Sequence, residues 1–253
     1  MKNAPDRVTA AAVLIGNELL SGSVADKNMH YIACKLVEAG IVLVEVRVIP
    51  DDCEMIASTV REMRGKVDYV FTTGGIGPTH DDITAECIAK SFDRPLIQHP
   101  ETAKTLRVFF AEKGVEANPE RMRMANMPEG AEPLKHKGSA VPGFRMENVF
   151  VLAGVPSIMQ SMLDAAVPGL RSGKPVLSQT VRCDLSEGAL AHGLKLIQEA
   201  VAEDVDIGSY PLSRDEHFHV RLVIRGTNSE INDRVREEIE TLIGSLGGNI
   251  IPE

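Results

Sequence analysis

The stretch that most constrains this chain is residues 70–86, VFTTGGIGPTHDDITAE. An apolar strand ends at Thr72-Thr73. Gly74, Gly75 and Gly77 then make a turn with almost no side-chain bulk, and Asp81 and Asp82 stand where a helix begins. A turn needs one or two glycines for positive φ. Three in four residues leave backbone N–H groups bare at the C-terminal end of a strand, where open α/β sheets receive ligands. Such amides, with the dipole of the following helix, suit a phosphate. The spacing is neither the dinucleotide-binding G-x-G-x-x-G nor a Walker A loop. One of the two aspartates can cap the helix, a contribution of about 1 kcal/mol. Two carboxylates beside a phosphate repel it unless a cation lies between, and the loop contains no lysine. The pattern therefore predicts a divalent cation bridging carboxylate and phosphate oxygens.

The flanking sequence alternates strand and helix. Val8 to Ile15 reads as a buried strand, and Gly16 to Gly22 as a loop carrying Asn17, Glu18 and Ser21. Glu18 can ligate metal or accept from a ribose or pterin, with Ser21 and Asn28 as donors. Equally, this is an ordinary strand-to-helix loop with Asp26 or Asn28 as cap. Met29, Ile32, Ala33 and Leu36 fit a helical period, with Gly40 past its end. Ile41 to Val48 is a β-branched strand, and Pro50-Asp51-Asp52 leads into a helix from Glu54 to Arg64. A third strand, Val67 to Thr72, reaches the glycine turn. Helices are expected over 83–92, 100–113 and 118–127. A hairpin turning at Glu147-Asn148 joins Phe144–Met146 to Val149–Leu152, and a helix capped by Ser157 runs to about Ala166. This order predicts an α/β sandwich with a largely parallel sheet and an antiparallel edge.

Residues 168–175, PGLRSGKP, read as a linker. Beyond it lies a small α+β unit. It has strands at 176–183 and 217–225, a helix over 186–203, and a helix introduced by a Thr227-x-x-Glu230 capping box. Phe218, Val220, Leu222 and Ile224 alternate onto one strand face. About eighty residues is near the size at which a lone core is marginal. The unit is therefore expected to pack on the first domain or on a second copy, making the protein a homo-oligomer.

Composition excludes several functions. Net charge is −9 without a Lys/Arg cluster, a poor basis for nucleic-acid binding. No apolar run approaches the ~18 residues of a membrane span. Cys34, Cys53, Cys87 and Cys183 form no C-x-x-C pair, which argues against a zinc site or disulfide framework and for a reducing, cytoplasmic setting. His80 is a candidate base or ligand, though a lone loop histidine is usually solvated. His217 and His219 sit on a strand's polar face and are not expected to bind metal.

The segments GNELLSG, VIPDD and TTGGIGPTHDDIT, then NMPEG, AVPGF and LAGVPS, occur in an order that resembles the MoaB/Mog molybdopterin-binding domain. More closely, they resemble the N-terminal region of CinA, the competence/damage-inducible protein. The likeness covers about Val8 to Ala166. It implies a three-layer α/β/α domain over 1–170, followed by a small α+β domain over 176–253 like the CinA linker domain. It implies a ligand site across Thr73, Gly74, Gly75 and Gly77 with Asn17, Glu18, Ser21, Asn28, Gly154 and Ser157. It assigns catalysis to Asp82, helped by Asp81, and metal ligation to Asp81, Asp82, Asp51 and Asp52. The implied activity is metal-dependent (Mg, Mn or Co) pyrophosphate hydrolysis of an ADP-ribose- or FAD-like nucleotide. The alternatives are a non-catalytic molybdopterin-binding module and molybdopterin adenylyltransferase-like activity. Ile76 departs from the family's usual threonine, and Ala153-Gly154-Val155-Pro156 from its Pro-Gly-x-Pro. With the chain ending at Glu253, the amidase activity of full-length CinA is not expected.

Overall fold

The computed structural model describes residues 7–137, 139–202, 204–214 and 217–252; for Ser213, Arg214, His217 and Phe218 it describes the backbone alone. The chain divides into two compact units, Met1–Gly173 and Lys174–Glu253.

The first unit begins with β1 (Val8–Ile15), α1 (Asn17–Leu20), α2 (Asn28–Glu38), β2 (Ile41–Ile49), α3 (Cys53–Arg64), β3 (Tyr69–Thr73) and α4 (Thr84–Ser91). A lobe follows, made of β4 (Leu96–Gln98), α5 (Pro100–Glu112), α6 (Pro119–Met122), a 3-10 turn at Arg123–Ala125 and β5 (Asn126–Pro128). The chain then returns through β6 (Glu132–Pro133), β7 (Phe144–Met146), β8 (Val149–Leu152) and α7 (Pro156–Ala166). The sheet order is β2-β1-β3-β8-β7-β6. β2, β1, β3 and β8 run parallel, and β7 and β6 form the antiparallel edge.

Topology explains the layers. The chain leaves β1 for β2 in one direction and returns past β1 to β3 in the other. Right-handed crossovers then put α2 and α3 on opposite faces. α2 packs with α7, and α3 packs with α4. β1 lies beneath both layers, and Ala10, Ala11 and Ala12 are fully buried in it. Small side chains there let helices approach from both sides. Phe71 on β3 and Phe150 on β8 stack with ring centroids 5.2 Å apart. The lobe has its own small core of Leu106, Phe110, Met122 and Ala125.

One local alternative is decided and others change. Asp26 caps α2, its carboxylate accepting from the amides of Asn28 and Met29 at 3.2 and 2.9 Å. The expected helix over 118–127 stops early, because Asn126–Pro128 pairs with Leu96–Gln98 as a two-stranded ribbon. Ser157 does not cap α7. Pro156 occupies its first turn, where a missing N–H and fixed φ are tolerated, and Val155 precedes it.

The cysteine reading is corrected. Cys53 opens α3 and Cys87 lies in α4, and a disulfide joins them with Cα atoms 5.0 Å apart. They are 34 residues apart, so no spacing motif connects them; they meet because α3 and α4 pack side by side. Cys34 and Cys183 are free.

The second unit contains β9 (Leu177–Cys183), α8 (Glu187–Ala200), β10 (Val205–Arg214), β11 (His217–Gly226) and α9 (Ser229–Ser245). The sheet order is β10-β11-β9, all antiparallel. β10 escapes a periodicity reading because Gly208 and Pro211 interrupt its pattern. Proline is tolerated there because β10 is an edge strand. Ser186 caps α8, accepting from the amide of Ala189. The cap of α9 is Asn228 rather than Thr227, its Oδ1 accepting from Glu230 and Ile231. Glu203 and the side chains of His217 and Phe218 lie outside the described residues.

Closing a loop of this length by a disulfide is worth about 3–4 kcal/mol in the chain-entropy model. Cys53→Ser should therefore lower the urea midpoint of oxidised protein by that equivalent. Reductant should do the same to the parent chain and nothing to the variant. Equal midpoints for oxidised and reduced parent would show that the bridge does not form in solution.

Candidate functional site

The parallel strands end together, and β1 and β3 flank the point where the strand order reverses, the usual ligand position in such sheets. Gly74 makes this junction possible. Its φ is +100°, and a Cβ would strike the carbonyl oxygen of Ile15 at the end of β1. Its amide donates to Leu152 of β8 at 3.2 Å. On the other side Gly154 meets it closely, with only 3.3 Å between a Cβ built on Gly154 and Gly74 Cα. Asn28 holds Gly154 in place, donating from Nδ2 to its carbonyl at 2.8 Å. Asn28 is buried, and its Oδ1 has no donor among the described residues.

The turn is then fixed from α4. Thr84 Oγ1 donates to the Gly74 carbonyl at 3.0 Å, and the Thr84 amide donates to the Gly75 carbonyl at 2.9 Å. Asp82 binds its own loop. Oδ1 accepts from the Gly77 amide at 2.6 Å, and Oδ2 accepts from the Thr79 amide at 2.8 Å and its hydroxyl at 2.5 Å. The Thr79 hydroxyl also lies 2.5 Å from Asp81 Oδ1; having one proton, it serves one carboxylate at a time. That hydroxyl, the Asp81 amide and nearby His80 hold the Asp81 carboxyl below its ordinary range. The amides of Gly75 and Ile76 donate to no described residue. Of the three glycine amides that the sequence offers to a ligand, those of Gly74 and Gly77 are engaged by Leu152 and Asp82, and only that of Gly75 is left over among the described residues.

A cleft of about 200 Å³ opens beside this turn, between α4 and the lobe. Gly75, Gly77 and Asp82 line it, with Glu86 one helical turn beyond Asp82. Across the cleft stand Arg123 and Asn126 from the lobe. Arg123 and Glu86 are exposed, and neither has a charged or hydrogen-bonding partner among the described residues. Arg123 is the functional candidate that sequence reasoning missed. It lies far downstream of the loop, in an unremarkable segment, ERMRM, and only the β4–β5 pairing brings that segment back. The lack of a lysine in the loop therefore does not leave the cleft without a cation.

The remaining expected residues do not line this cleft. Asp51 Oδ2 accepts from the Asn17 amide at 2.8 Å, tying the end of β2 to that of β1. Asp52 caps α3 through the Met55 amide at 2.8 Å. Glu18 folds back over Gly16, into the space a Cβ would fill. Ser21 shares a hydrogen bond with Ser23 at 2.8 Å. Thr73 is buried in β3. Ile76, by contrast, borders the cleft while its side chain packs into the core. The four aspartates expected to hold a metal do not fit one. No three His, Cys, Asp or Glu side chains converge on a metal position among the described residues, and Asp51, Asp52 and Asp82 accept from backbone amides instead.

The model of a probable molybdopterin binding domain matches residues 11–172. The chain belongs to this family. A second model, that of the FAD synthase middle domain, matches residues 175–246. A relative from Metallosphaera sedula is 30% identical over 256 residues, covering 96% of this chain and 97% of its own. A CinA-like protein of Desulfosudis oleivorans is 34% identical over 162 residues, 62% of this chain and 39% of that protein. Among solved structures, a CinA of unknown function from Thermoplasma acidophilum matches with a TM-score of 0.58 and 28% identity, over 63% of this chain and 96% of that one. The family's α/β domain followed by a small second domain is the architecture described above. Among the described residues no helix is long and apolar enough to cross a membrane.

The Gly74 junction is testable against a glycine in open space. Gly114 also has positive φ, +64°, but nothing surrounds its Cβ position. Gly114→Ala should lose about 1–2 kcal/mol of stability from the left-handed conformation alone. Gly74→Ala adds a clash with rigid backbone and should lose about 2 kcal/mol more. Urea unfolding of both variants measures the difference; equal losses would refute the close approach to Ile15.

Proposed function

We propose that the cleft beside the glycine turn binds a phosphorylated pterin or nucleotide. Its phosphate lies between the free amides of Gly75 and Ile76 and the guanidinium of Arg123. The observation that carries this reading is Arg123, an unpaired cation facing a glycine turn with unused donors. Arginine and backbone amides together give a phosphate short charge-assisted bonds without a metal. Membership in the molybdopterin-binding family supports a pterin-type ligand. The FAD synthase middle-domain match supports a nucleotide. Asp82 shapes the turn, and Glu86 faces the ligand's polar edge as an acceptor for its N–H groups.

A second reading is turnover. Two carboxylates, Asp82 and Glu86, share the cleft with Arg123, and a carboxylate near a bound pyrophosphate can orient and deprotonate an attacking water. This supports hydrolysis of an ADP-ribose- or FAD-like pyrophosphate, with Arg123 balancing charge on the phosphoryl oxygens. A divalent cation would have to arrive with the nucleotide, because the aspartates first assigned to it do not gather around one position.

Calorimetry with molybdopterin, ADP-ribose and FAD, in chelator and then in Mg²⁺, tests both readings. At least one ligand should bind in chelator, and Arg123→Gln should weaken it about tenfold or more, the worth of one charged hydrogen bond. Unchanged affinity in Arg123→Gln would remove the binding reading. Release of AMP from ADP-ribose or FAD, lost in Asp82→Asn, would establish turnover; binding without any product would make the chain a binding module.

A further inference from the structure

α9 exposes Asp233, Glu237 and Glu238 to solvent, but the opposite face of the second unit's sheet is basic. Val181, Leu222 and Ile224 are buried in the core shared with the helices. Strand alternation turns Arg182, Arg221, Val223 and Arg225 to the other side. Register aligns three of the outward side chains in one rank. Tyr210 of β10 is opposite Arg221 of β11, which is opposite Arg182 of β9. Two directly opposed arginines repel one another. Neither has an acidic partner among the described residues, and the Nε of each is buried without a hydrogen bond.

Tyr210 organises the cluster. Its ring lies back over Gly208, in space that a Cβ there would occupy. The Arg221 guanidinium is 5.2 Å from the ring centre and that of Arg225 5.9 Å. Both terminal nitrogens of Arg225 donate to the Tyr210 hydroxyl at 3.2 Å. Among the described residues the acid paired with these arginines is Asp206, which is 78% exposed and 3.8 Å from Arg225. Arg221 and Arg225 thus gather on the Tyr210 ring, and register sets Arg182 beside Arg221.

We infer that this face is a second anion site, which takes the phosphate or pyrophosphate of a small phosphorylated molecule across Arg182 and Arg221, with Arg225 at its margin. Bidentate guanidinium forks match phosphate oxygens, and a bound anion converts the Arg182–Arg221 repulsion into two attractions. The patch suits a small ligand better than a nucleic-acid strand. It offers one aromatic ring, whose face the arginines already occupy, so successive bases have nothing to stack on. Acidic α9 on the same unit would also repel a long polyanion.

The probe is inorganic pyrophosphate, titrated calorimetrically into the full chain carrying Arg123→Gln, which removes the cleft's cation. Binding should persist in that background and weaken about tenfold or more on adding Arg182→Gln with Arg221→Gln. Tyr210→Phe keeps the ring and frees Arg225, and should weaken binding severalfold. It carries the test alone if the double variant does not fold. The inference is overturned by three results: no pyrophosphate binding in the Arg123→Gln chain, affinity unchanged by both sets of substitutions, or a single-stranded RNA oligomer that outcompetes pyrophosphate at this face. Because Arg123→Gln is present throughout, the loss caused by Arg182→Gln with Arg221→Gln is read separately from binding in the cleft.

Discussion

A loop made of glycines has no side chains with which to hold itself still, and here the Asp82 carboxylate does that work. By accepting from the amides of Gly77 and Thr79 it closes the turn onto the start of α4, and Thr84 closes it again through the carbonyls of Gly74 and Gly75. Glycine loses more conformational freedom on ordering than any other residue. Without these bonds a ligand would have to supply that ordering itself. With them, the free amides of Gly75 and Ile76 are positioned before any ligand arrives. Loop and helix start are therefore one object, which is why the aspartates and glycines occur together in the sequence.

The same arrangement decides the electrostatics. An aspartate whose oxygens are engaged with backbone amides in its own loop is poorly placed to reach out as one ligand of a shared metal. Asp51 and Asp52 are engaged in the same way, one with Asn17 and one with the first turn of α3. Each carboxylate completes a hydrogen-bond requirement created by a strand end or a helix N-terminus. Asp26, Asp51, Asp52 and Asp82 at the sheet's C-terminal edge thus each have a structural cause, whereas the carboxylates of Glu18 and Glu86 have no partner among the described residues.

The sequence made the sandwich legible because β1, β2 and the helices after them follow clean periods, and because the glycine turn can sit at few places in a sheet. It made the lobe illegible for the opposite reason. Leu96–Gln98 and Asn126–Pro128 are strands of three residues, too short for a period, and they exist because they pair with each other. Arg123 inherits that difficulty, since nothing local marks it. The Cys53–Cys87 bridge is of the same kind, a product of helix packing and not of spacing. β10 was hidden by Gly208 and Pro211, although the glycine is what gives the Tyr210 ring its place. The Asp82 loop contacts were half visible. Two acids at a helix start announce a cap, and only the folded turn reveals that the capped amides belong to the loop itself.

A net charge of −9 sets the terms on which this protein can meet an anion. The overall field repels phosphate, so each site must overcome it locally, within the roughly 8–10 Å over which charges act in physiological salt. In the proposed site Arg123 would do so from a lobe with its own core, which leaves its side chain lining the cleft without an acidic partner among the described residues. An arginine paired to a surface carboxylate would offer a phosphate little, because the ligand would first have to displace the pair. The absence of such a partner among the described residues, in a chain with more acids than bases, distinguishes Arg123 from arginines such as Arg47, which is bound to Glu45 and Glu62. Where an arginine without such a partner faces bare amides, the geometry favours an anion as the missing partner.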